Sequence, residues 1–316
     1  MKIRWLVFVA AVVVIAGMTR AVEQKSSKLV NPFEVEGTWY KTNLHTHTNL
    51  SDGDVNLPIR VKQYRDKGYQ VLAITDHEKT NTVTGYSDAN FLLISGMETH
   101  PKSGMEVPYH FVCVNVPAGF HRSEEMSAQQ VIDAVKAAGG EVIYAHPYWC
   151  GHTINQLTAV EGYIGVEVFN GVCGGKGYSA VYWDELLGAG RILPAVAADD
   201  AHTADHIRKG WIMIKAKELT PDAIMNSLRN GGYYASCGPT IEDFRLENGV
   251  VKLKCSAVTE IHLFGQAHYY YDQSAKKGSV LTGTEYKLPN GFKYVRAEVI
   301  DADGKHAWTN PIEIKK

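Results

Sequence analysis

The sequence has no excess of charge of either sign and few cysteines, and each shortage excludes a class of protein. Its 316 residues include 32 Lys and Arg against 34 Asp and Glu, a formal net charge of −2. Without a basic excess we expect no nucleic-acid surface. No Cys-x-x-Cys pair occurs among the five cysteines, so we expect no cysteine-based zinc site. The odd count leaves at least one thiol unpaired, and whether Cys150 and Cys173 pair stays open.

Long apolar runs are also missing, except at the start of the chain. Lys2 and Arg4 precede an apolar run from Trp5 to Ala16, and Ala21 offers a small residue for cleavage. This pattern is typical of a secretory signal peptide covering residues 1–21, and it predicts a periplasmic or secreted protein. The run is shorter than the roughly 20 residues of a membrane span, so a retained anchor is the weaker alternative. Cleavage would remove three cations and no acid, changing the charge from −2 to −5.

Short apolar strands alternate with helices from residue 38 to residue 229. The predicted strands cover residues 38–42, 70–75, 91–94, 109–114, 141–145, 164–169, 191–197 and 211–214. The predicted helices cover residues 57–67, 127–138, 181–187 and 220–229, and the second begins with a capping box from Ser127 to Gln130. This alternation predicts an α/β domain over residues 22–239, with a parallel sheet that is either open or closed into a barrel.

The sequence pattern changes near residue 240, from alternating strands and helices to short strands joined by turns. Asn248-Gly249 is a hairpin signal between two short strands, and further short strands and turns follow to the end of the chain. We therefore predict a small all-β domain over residues 240–316. The Tyr269-Tyr270-Tyr271 run is most simply a strand face, and a platform for glycan contact is the alternative.

Histidines and acids gather where the predicted strands end. His45 and His47 follow the first strand, and residues two apart on a strand point the same way, so both imidazoles can reach one metal ion. Asp52 lies just beyond, at a turn. Later strand ends carry most of the remaining candidates, which are His77, Glu98, His146, Asp200 and His202, while His110 lies at the beginning of a strand. Barrel enzymes build their sites from the loops at this end of the strands.

Six imidazoles and three carboxylates suit zinc, iron or manganese better than calcium or magnesium. Nine donors are enough for two or three ions if one carboxylate bridges. Three divalent ions would leave a surplus positive charge, which acidifies bound water and attracts a small anionic substrate. His100 competes with His110, and Asp199 competes with Asp200, which the Asp-x-His spacing favours. Asp199 and Asp76 are expected to orient neighbouring ligands.

In this order, the residues resemble the PHP (polymerase and histidinol phosphatase) superfamily over residues 39–239. The resemblance implies a distorted (β/α)7 barrel and three metal positions, the first two of which share Glu98. The implied ligand sets are His45, His47, Glu98 and Asp200; Glu98, His110 and His146; and Asp52, His77 and His202. The signal peptide, the segment 232–239 and the β appendage look most like the CehA/McbA branch, named for a carbaryl hydrolase.

The resulting hypothesis is metal-assisted hydrolysis. A metal-bridging hydroxide would attack phosphorus or an acyl carbon, and Asp200 or His202 would relay the proton. Phosphate chemistry usually also needs cationic or polar groups near the metals. The candidates for substrate binding are Arg122, Asn170, Lys176 and Arg208.

Three functions from different classes follow from this hypothesis. An exported phosphoesterase is the first. A hydrolase of carboxylic esters, amides or carbamates is the second, and it is favoured if no cation lines the pocket. An exported glycan-binding protein without turnover is the third, and the complete ligand set argues against it.

Overall fold

The eight strands and four helices predicted between residues 38 and 229 are all present, and two short α-helices and one strand that were not predicted accompany them. The computed structural model describes residues 29–265 and 270–314. The strands up to residue 236 are β1 Thr38–Asn43, β2 Val71–Ile74, β3 Leu92–Thr99, β4 Phe111–Val114, β5 Glu141–Tyr144, β6 Gly165–Asn170, β7 Ala195–Ala198, β8 Trp211–Ala216 and β9 Tyr233–Ser236. The helices are α1 Leu57–Asp66, α2 Ala128–Ala137, α3 Pro147–Cys150, α4 Ile154–Thr158, α5 Ala180–Gly188 and α6 Pro221–Arg229.

Local chemistry explains where the long helices begin. The Ser127 side chain accepts a hydrogen bond from the Gln130 backbone N–H, and the Gln130 side chain accepts one from the Ser127 N–H, so the predicted capping box of α2 is confirmed. The Asn56 side chain caps α1, and the Thr220 side chain caps α6. Two predicted strand bounds are wrong, since β3 continues to Thr99 and β7 begins only at Ala195.

The central sheet is mostly parallel, with one reversed strand. Pairs β1–β2, β2–β3, β5–β6 and β6–β7 are parallel, whereas β4 is antiparallel to both β3 and β5. No described helix lies between β3 and β4, so the chain turns straight back. The residue before β4, His110, therefore lies at the same edge of the sheet as the end of β3.

Hydrogen bonds join the chain beyond β1 to the chain beyond β7. The His47 N–H donates to the Ala201 carbonyl at 3.0 Å, and the Asp200 N–H donates to the His45 carbonyl at 3.0 Å. On its other edge β1 pairs with β8, which is antiparallel and is followed by β9. These contacts bring the two ends of the β1–β7 series together.

The C-terminal region extends the same sheet and adds a second one. Its strands are β10 Ile241–Glu247, β11 Val250–Val258, β12 Glu260–Phe264, β13 Tyr270–Ser274, β14 Leu281–Lys287, β15 Tyr294–Ile300, β16 His306–Thr309 and β17 Ile312–Glu313. The large sheet continues from β9 through β16, β15 and β12 to β13, while β10, β11 and β14 form a three-stranded antiparallel sheet. The hairpin at Asn248-Gly249 is confirmed, but the domain boundary at residues 239/240 stays a prediction.

Several expectations concern the termini, the thiols and the tyrosine run. The predicted signal peptide lies outside the described residues. No helix within the described ranges has the length and apolar character needed to cross a membrane. All five cysteines are free thiols, including Cys150 and Cys173. Tyr269 also lies outside the described residues, and the Tyr271 ring stacks on Tyr286 with centroids 4.1 Å apart.

Candidate metal centre

His45 and His47 sit side by side directly after β1. Both are fully buried, and the Asn43 side chain accepts a hydrogen bond from the His45 N–H at 3.0 Å, which fixes the chain where the strand ends. The His45 Nε2 lies 3.2 Å from Glu98 Oε2 and 3.3 Å from Asp200 Oδ1. The His47 Nε2 lies 2.9 Å from the same Asp200 oxygen. Both imidazoles therefore face one pair of carboxylates, as predicted.

Glu98 lies at the middle of the cluster, on β3. One carboxylate oxygen, Oε2, lies within 3.4 Å of a nitrogen of each of three imidazoles, those of His45, His47 and His77. The other oxygen, Oε1, lies 2.7 Å from His110 Nδ1 and 3.3 Å from His146 Nε2. Because its two oxygens face different histidines, Glu98 has the geometry of a bridging ligand.

Asp52 joins a third group at the open side of the cluster. Its Oδ2 lies 3.3 Å from His77 Nε2 and 3.2 Å from His202 Nε2. The His47 Nδ1 lies 3.7 Å from Asp52 Oδ1, and His47, Asp52, His77 and His202 together could hold one ion. The structure thus brings all nine predicted ligands together, and His47 stands between two of the groups.

The donor set fits divalent cations. Glu167 accepts at His45 Nδ1, 2.8 Å away, and a carboxylate can only accept, so the proton of a neutral His45 imidazole lies on Nδ1. The lone pair of His45 Nε2 then faces the oxygens of Glu98 and Asp200, and this buried atom has no hydrogen-bond partner. The buried Nδ1 of His47 is also unpartnered. Buried acceptors that face one another need a cation between them.

The electrostatics of the cluster agree with this fit. Burial would raise the pKa of Glu98, but the surrounding imidazoles, His45 first, hold it well below its ordinary value. Burial would lower the pKa of His45, yet neighbouring carboxylates, Asp200 first, raise it well above its ordinary value, so this position favours a positive charge, which is a proton on His45 or a metal ion at its Nε2. Burial lowers the pKa of His110 to about 4. The acids are therefore ionised at neutral pH, and His110 is a neutral imidazole with a lone pair to offer.

One solved structure shares the arrangement of elements described above. A two-domain protein from Bacteroides vulgatus, described as containing a predicted PHP-like metal-dependent phosphoesterase, aligns over 91% of this chain and 99% of its own, with 19% identity and a TM-score of 0.52. The fold is PHP-like. The predicted resemblance is therefore confirmed at the level of the fold, and the CehA/McbA branch stays a prediction.

Two further structures align less well. A candidate metal-dependent phosphoesterase from Bifidobacterium adolescentis aligns over 62% of this chain and 98% of its own, with 19% identity and a TM-score of 0.42. An amidohydrolase from Chromobacterium violaceum aligns over 51% and 87%, with 15% identity and a TM-score of 0.41. Scores this low carry no argument. No family model matches the sequence, and no curated protein matches it either.

Three residues that sequence reasoning passed over or left in a minor role contact the candidate ligands or the loops that carry them. Glu167, on β6, is 1% exposed and accepts from the His146 N–H at 3.0 Å, besides its contact with His45. Arg60, on α1, is fully buried and donates to the carbonyls of the loops that carry His47 and His202. Asp76 was expected to orient a ligand, and its carboxylate accepts hydrogen bonds from the loop at residues 48–51.

Two of the candidate ligands have strained backbones. His146 has φ 25° and ψ 59°, and Asp200 has φ 53°, a region that side chains other than glycine rarely adopt. Each is held by other contacts: Glu167 accepts from the His146 N–H, and the Asp200 N–H donates to the His45 carbonyl. Such strain persists only where surrounding contacts hold the residue in its conformation, and strained residues of this kind are common at functional sites.

The cavity at the cluster is not lined by the predicted cationic substrate candidates Arg122, Lys176 and Arg208. A cavity of about 310 Å³ opens onto the cluster, and besides the ligands it is lined by Trp149, Val172 and Cys173. No lysine or arginine of the described ranges is among its lining residues. The Arg122 guanidinium is bound to Glu78 and Thr99, and the Lys176 ammonium lies over the Tyr148 ring.

The last two substrate candidates behave differently from each other. Asn170 reaches the centre, because its Nδ2 donates to Asp200 Oδ2 at 3.1 Å and to Glu167 Oε2 at 3.1 Å. Arg208 lines a separate cavity. The substrate-binding roles of all four residues stay predictions.

The two competing residues take distinct places. His100 touches the cluster, since its Nε2 lies 3.1 Å from His77 Nδ1 and 3.7 Å from Glu98 Oε1. Asp199 points away from the metal ligands and accepts from the N–H groups of Lys209 and Gly210 at 2.6 and 2.9 Å. Asp199 therefore fixes the loop after β7, while Asp200 faces the histidines.

Proposed function

We propose that this protein is a metal-dependent hydrolase of the PHP superfamily that acts on phosphoesters. The observation that carries the proposal is the convergence of eight buried or half-buried ligand side chains around Glu98, whose two oxygens face different imidazoles at 2.7 to 3.4 Å. The fold supports it, because the Bacteroides vulgatus protein with this fold is described as containing a predicted metal-dependent phosphoesterase.

The proposed ligand sets follow the contacts. His45, His47 and Asp200 form one group, His45, Glu98 and His146 another, and His47, Asp52, His77 and His202 a third. His110 joins the second group through Glu98 Oε1. Two or three ions of zinc, manganese or iron would fit these groups and, when bound, would acidify a water and polarise the ester.

Asp200 is the proposed proton acceptor. Its Oδ2 is fixed by the Asn170 Nδ2, while its Oδ1 faces His47. His202 is the alternative, because its Nδ1 bonds the Asp200 carbonyl at 2.8 Å and leaves Nε2 facing Asp52 and the cavity. A proton released in hydrolysis needs an acceptor held within hydrogen-bond reach, and both residues provide one.

A second candidate function is hydrolysis of carboxylic esters, amides or carbamates. The lining of the cavity favours it, since Trp149 and Val172 are apolar and no described lysine or arginine lines the wall. A phosphate group would have to rely on the metals alone for positive charge.

Turnover of three substrate classes separates these functions. The purified protein is assayed with p-nitrophenyl phosphate, bis-p-nitrophenyl phosphate and naphthyl esters, with and without added manganese or zinc. We expect metal-dependent release of p-nitrophenol, lost in Glu98→Ala and retained in Glu125→Ala, an exposed acid outside the cluster. Activity on naphthyl esters alone would establish the second function. If the metal-replete protein hydrolyses none of these substrates, an exported glycan-binding protein is favoured.

We also propose that β1 to β7 form the distorted (β/α)7 barrel that the resemblance implies. The hydrogen bonds between the chain beyond β1 and the chain beyond β7, at His47 and Asp200, support closure. An experimental structure in which β1 and β7 lie on opposite edges of an open sheet would contradict it.

Export is proposed from the sequence of the first 21 residues. Their basic start and apolar run have the form of a signal peptide. Expression of the full chain followed by N-terminal sequencing of the periplasmic or secreted fraction tests it. A mature protein that begins at Val22 is expected, and an intact N-terminus retained in the cytoplasm would contradict it.

A further inference from the structure

A second cavity, of about 360 Å³, lies beside the metal centre and collects three cations. Arg208 and Lys209 come from the loop after β7, and Lys305 comes from the turn before β16. The rings of Phe169 and Tyr178 form part of the same wall. In a protein with a net charge of −2, three cations from two distant parts of the sequence meet at one opening.

Acids neutralise these cations only in part, since Asp205 interacts electrostatically with Lys209 and the Asp301 carboxylate accepts from the Lys305 backbone N–H at 2.9 Å. Within residues 29–265 and 270–314, the side chains of Arg208, Lys209 and Lys305 take part in no salt bridge. Asp205 is the one acid in the described lining, and its carboxylate accepts a hydrogen bond from the Thr203 hydroxyl. The lining therefore carries a net charge of +3 − 1, or +2. Concave sites with charge of one sign attract oppositely charged ligands.

The backbone is shaped to hold both lysines in place. The Lys209 side chain crosses Gly171. A Cβ added at Gly171 would overlap the Lys209 Cβ and lie 3.0 Å from the Lys209 Cγ. The Lys305 side chain crosses Gly238, where an added Cβ would lie 2.6 Å from the Lys305 Cβ. Only glycine leaves room for these stems. Gly238 belongs to the segment 232–239, to which the metal centre gives no role.

The loop that carries the cations is itself fixed. Arg208 has φ 78°, a conformation rare for arginine, and the next two N–H groups donate to the buried Asp199 carboxylate at 2.6 and 2.9 Å. The strand β6 and the residues after it separate the two cavities: Phe169 lines the cationic one, and Val172 and Cys173 line the metal one.

We propose that this cavity binds the anionic group of an aromatic ligand. Arg208, Lys209 and Lys305 would hold a carboxylate or phosphate, and the ring would lie against Tyr178, which is 40% exposed. The C-terminal region then has a defined role, since it supplies Lys305. The inference stands apart from the proposed hydrolysis, because binding at this cavity requires neither metal nor turnover.

Calorimetric titration with phenylphosphonate tests the proposal. The full-length protein is compared with Lys209→Ala/Lys305→Ala and with Lys277→Ala, which removes an exposed lysine far from the cavity in sequence. We expect the double substitution to weaken binding by about five- to twenty-fold, because each exposed cation contributes up to about fivefold. Lys277→Ala should bind like the wild type, and added salt should weaken binding in both.

Three outcomes would overturn the proposal. These are no binding by the wild type at millimolar phenylphosphonate, equal binding by the double variant, and equal weakening in Lys277→Ala. Both lysines are exposed, so unfolding is not expected, and circular dichroism of each variant checks this. Kinetics then distinguish the source of the anion. If Lys209→Ala/Lys305→Ala raises the KM for 4-carboxyphenyl phosphate but not for phenyl phosphate, the anionic group belongs to the substrate. If neither KM changes, the anionic group belongs to a separate ligand.

Discussion

Replacing Glu167 by glutamine should weaken metal binding although Glu167 is not a proposed ligand. Its Oε1 accepts from His45 Nδ1 at 2.8 Å, and its Oε2 accepts from the His146 N–H at 3.0 Å and from Asn170 Nδ2 at 3.1 Å. Both oxygens are acceptors, and glutamine offers one acceptor and one donor in the same volume.

Either orientation of the new amide breaks one side of this arrangement. If the amide oxygen faces His45, the NH₂ group meets the donors of His146 and Asn170, and buried N–H groups are left unpaired. If the NH₂ group faces His45, it forces the imidazole proton onto Nε2 and removes the lone pair that faces Glu98 and Asp200. The second orientation abolishes His45 as a ligand.

The two estimates of the cost agree. Outer partners of metal-bound histidines typically contribute about 10- to 100-fold to metal affinity. That range corresponds to about 1.4 to 2.8 kcal/mol. A buried hydrogen bond to a charged acceptor contributes about 1.5 to 3 kcal/mol, so the same figure is reached from the lost contact alone.

Competition with a chelator of known zinc affinity measures the effect. We expect Glu167→Gln to bind zinc about 10- to 100-fold more weakly than the wild type. Glu260→Gln is the matched control, because Glu260 also contacts a histidine, His262, at 3.0 Å but lies in the C-terminal region. Equal zinc affinity in Glu167→Gln and the wild type would refute the role given to Glu167.

Three further perturbations test the fold and the centre. Dialysis against EDTA should lower Tm, since an ion present at 1,000 times its Kd stabilises by about 4 kcal/mol, and an unchanged Tm in calorimetry would contradict this. Gly96→Ala should cost about 1 to 3 kcal/mol in urea unfolding, because its Cβ would lie 2.7 Å from the Cys113 carbonyl oxygen, whereas Gly175→Ala meets nothing within 4 Å and should be neutral. Arg60→Met should cost about 1 to 3 kcal/mol in the same assay, since it leaves the buried His47 carbonyl without a donor and removes one of the two donors to the His202 carbonyl, and a loss below about 1 kcal/mol would count against that role.

Much of the fold could be predicted because local signals and tertiary structure agree. Buried apolar strands, the α2 capping box and the hairpin at Asn248-Gly249 all lie where the residues indicate. The wrong bounds have physical causes. Glycine usually weakens a strand, but β3 continues through Gly96. Glycine is needed there because the neighbouring strand passes too close to leave room for a side chain. β7 begins after Pro194, which has no N–H to donate to a sheet.

The candidate ligands could be chosen from the sequence because each lies at or near the end of a predicted strand and their order resembles the PHP pattern, whereas the groups that contact them are set by tertiary structure. Glu167 gives one signal, as a lone acid in an otherwise apolar strand, and a buried acid is almost always paired. Arg60 lies on the buried stripe of α1 beside Leu57 and Tyr64, where a charged residue is unusual. Neither signal names a partner, because the partners lie far away in the sequence.

Metal content tests the central claim most directly. Elemental analysis of the dialysed full-length protein, with Glu98→Ala measured beside it, counts the ions that the cluster holds. We predict about two to three equivalents of zinc, manganese or iron per chain, with at least one lost in Glu98→Ala because Glu98 faces both His45 and His110. Metal far below one equivalent in the wild type after incubation with each ion, or a content unaffected by the substitution, would contradict the account.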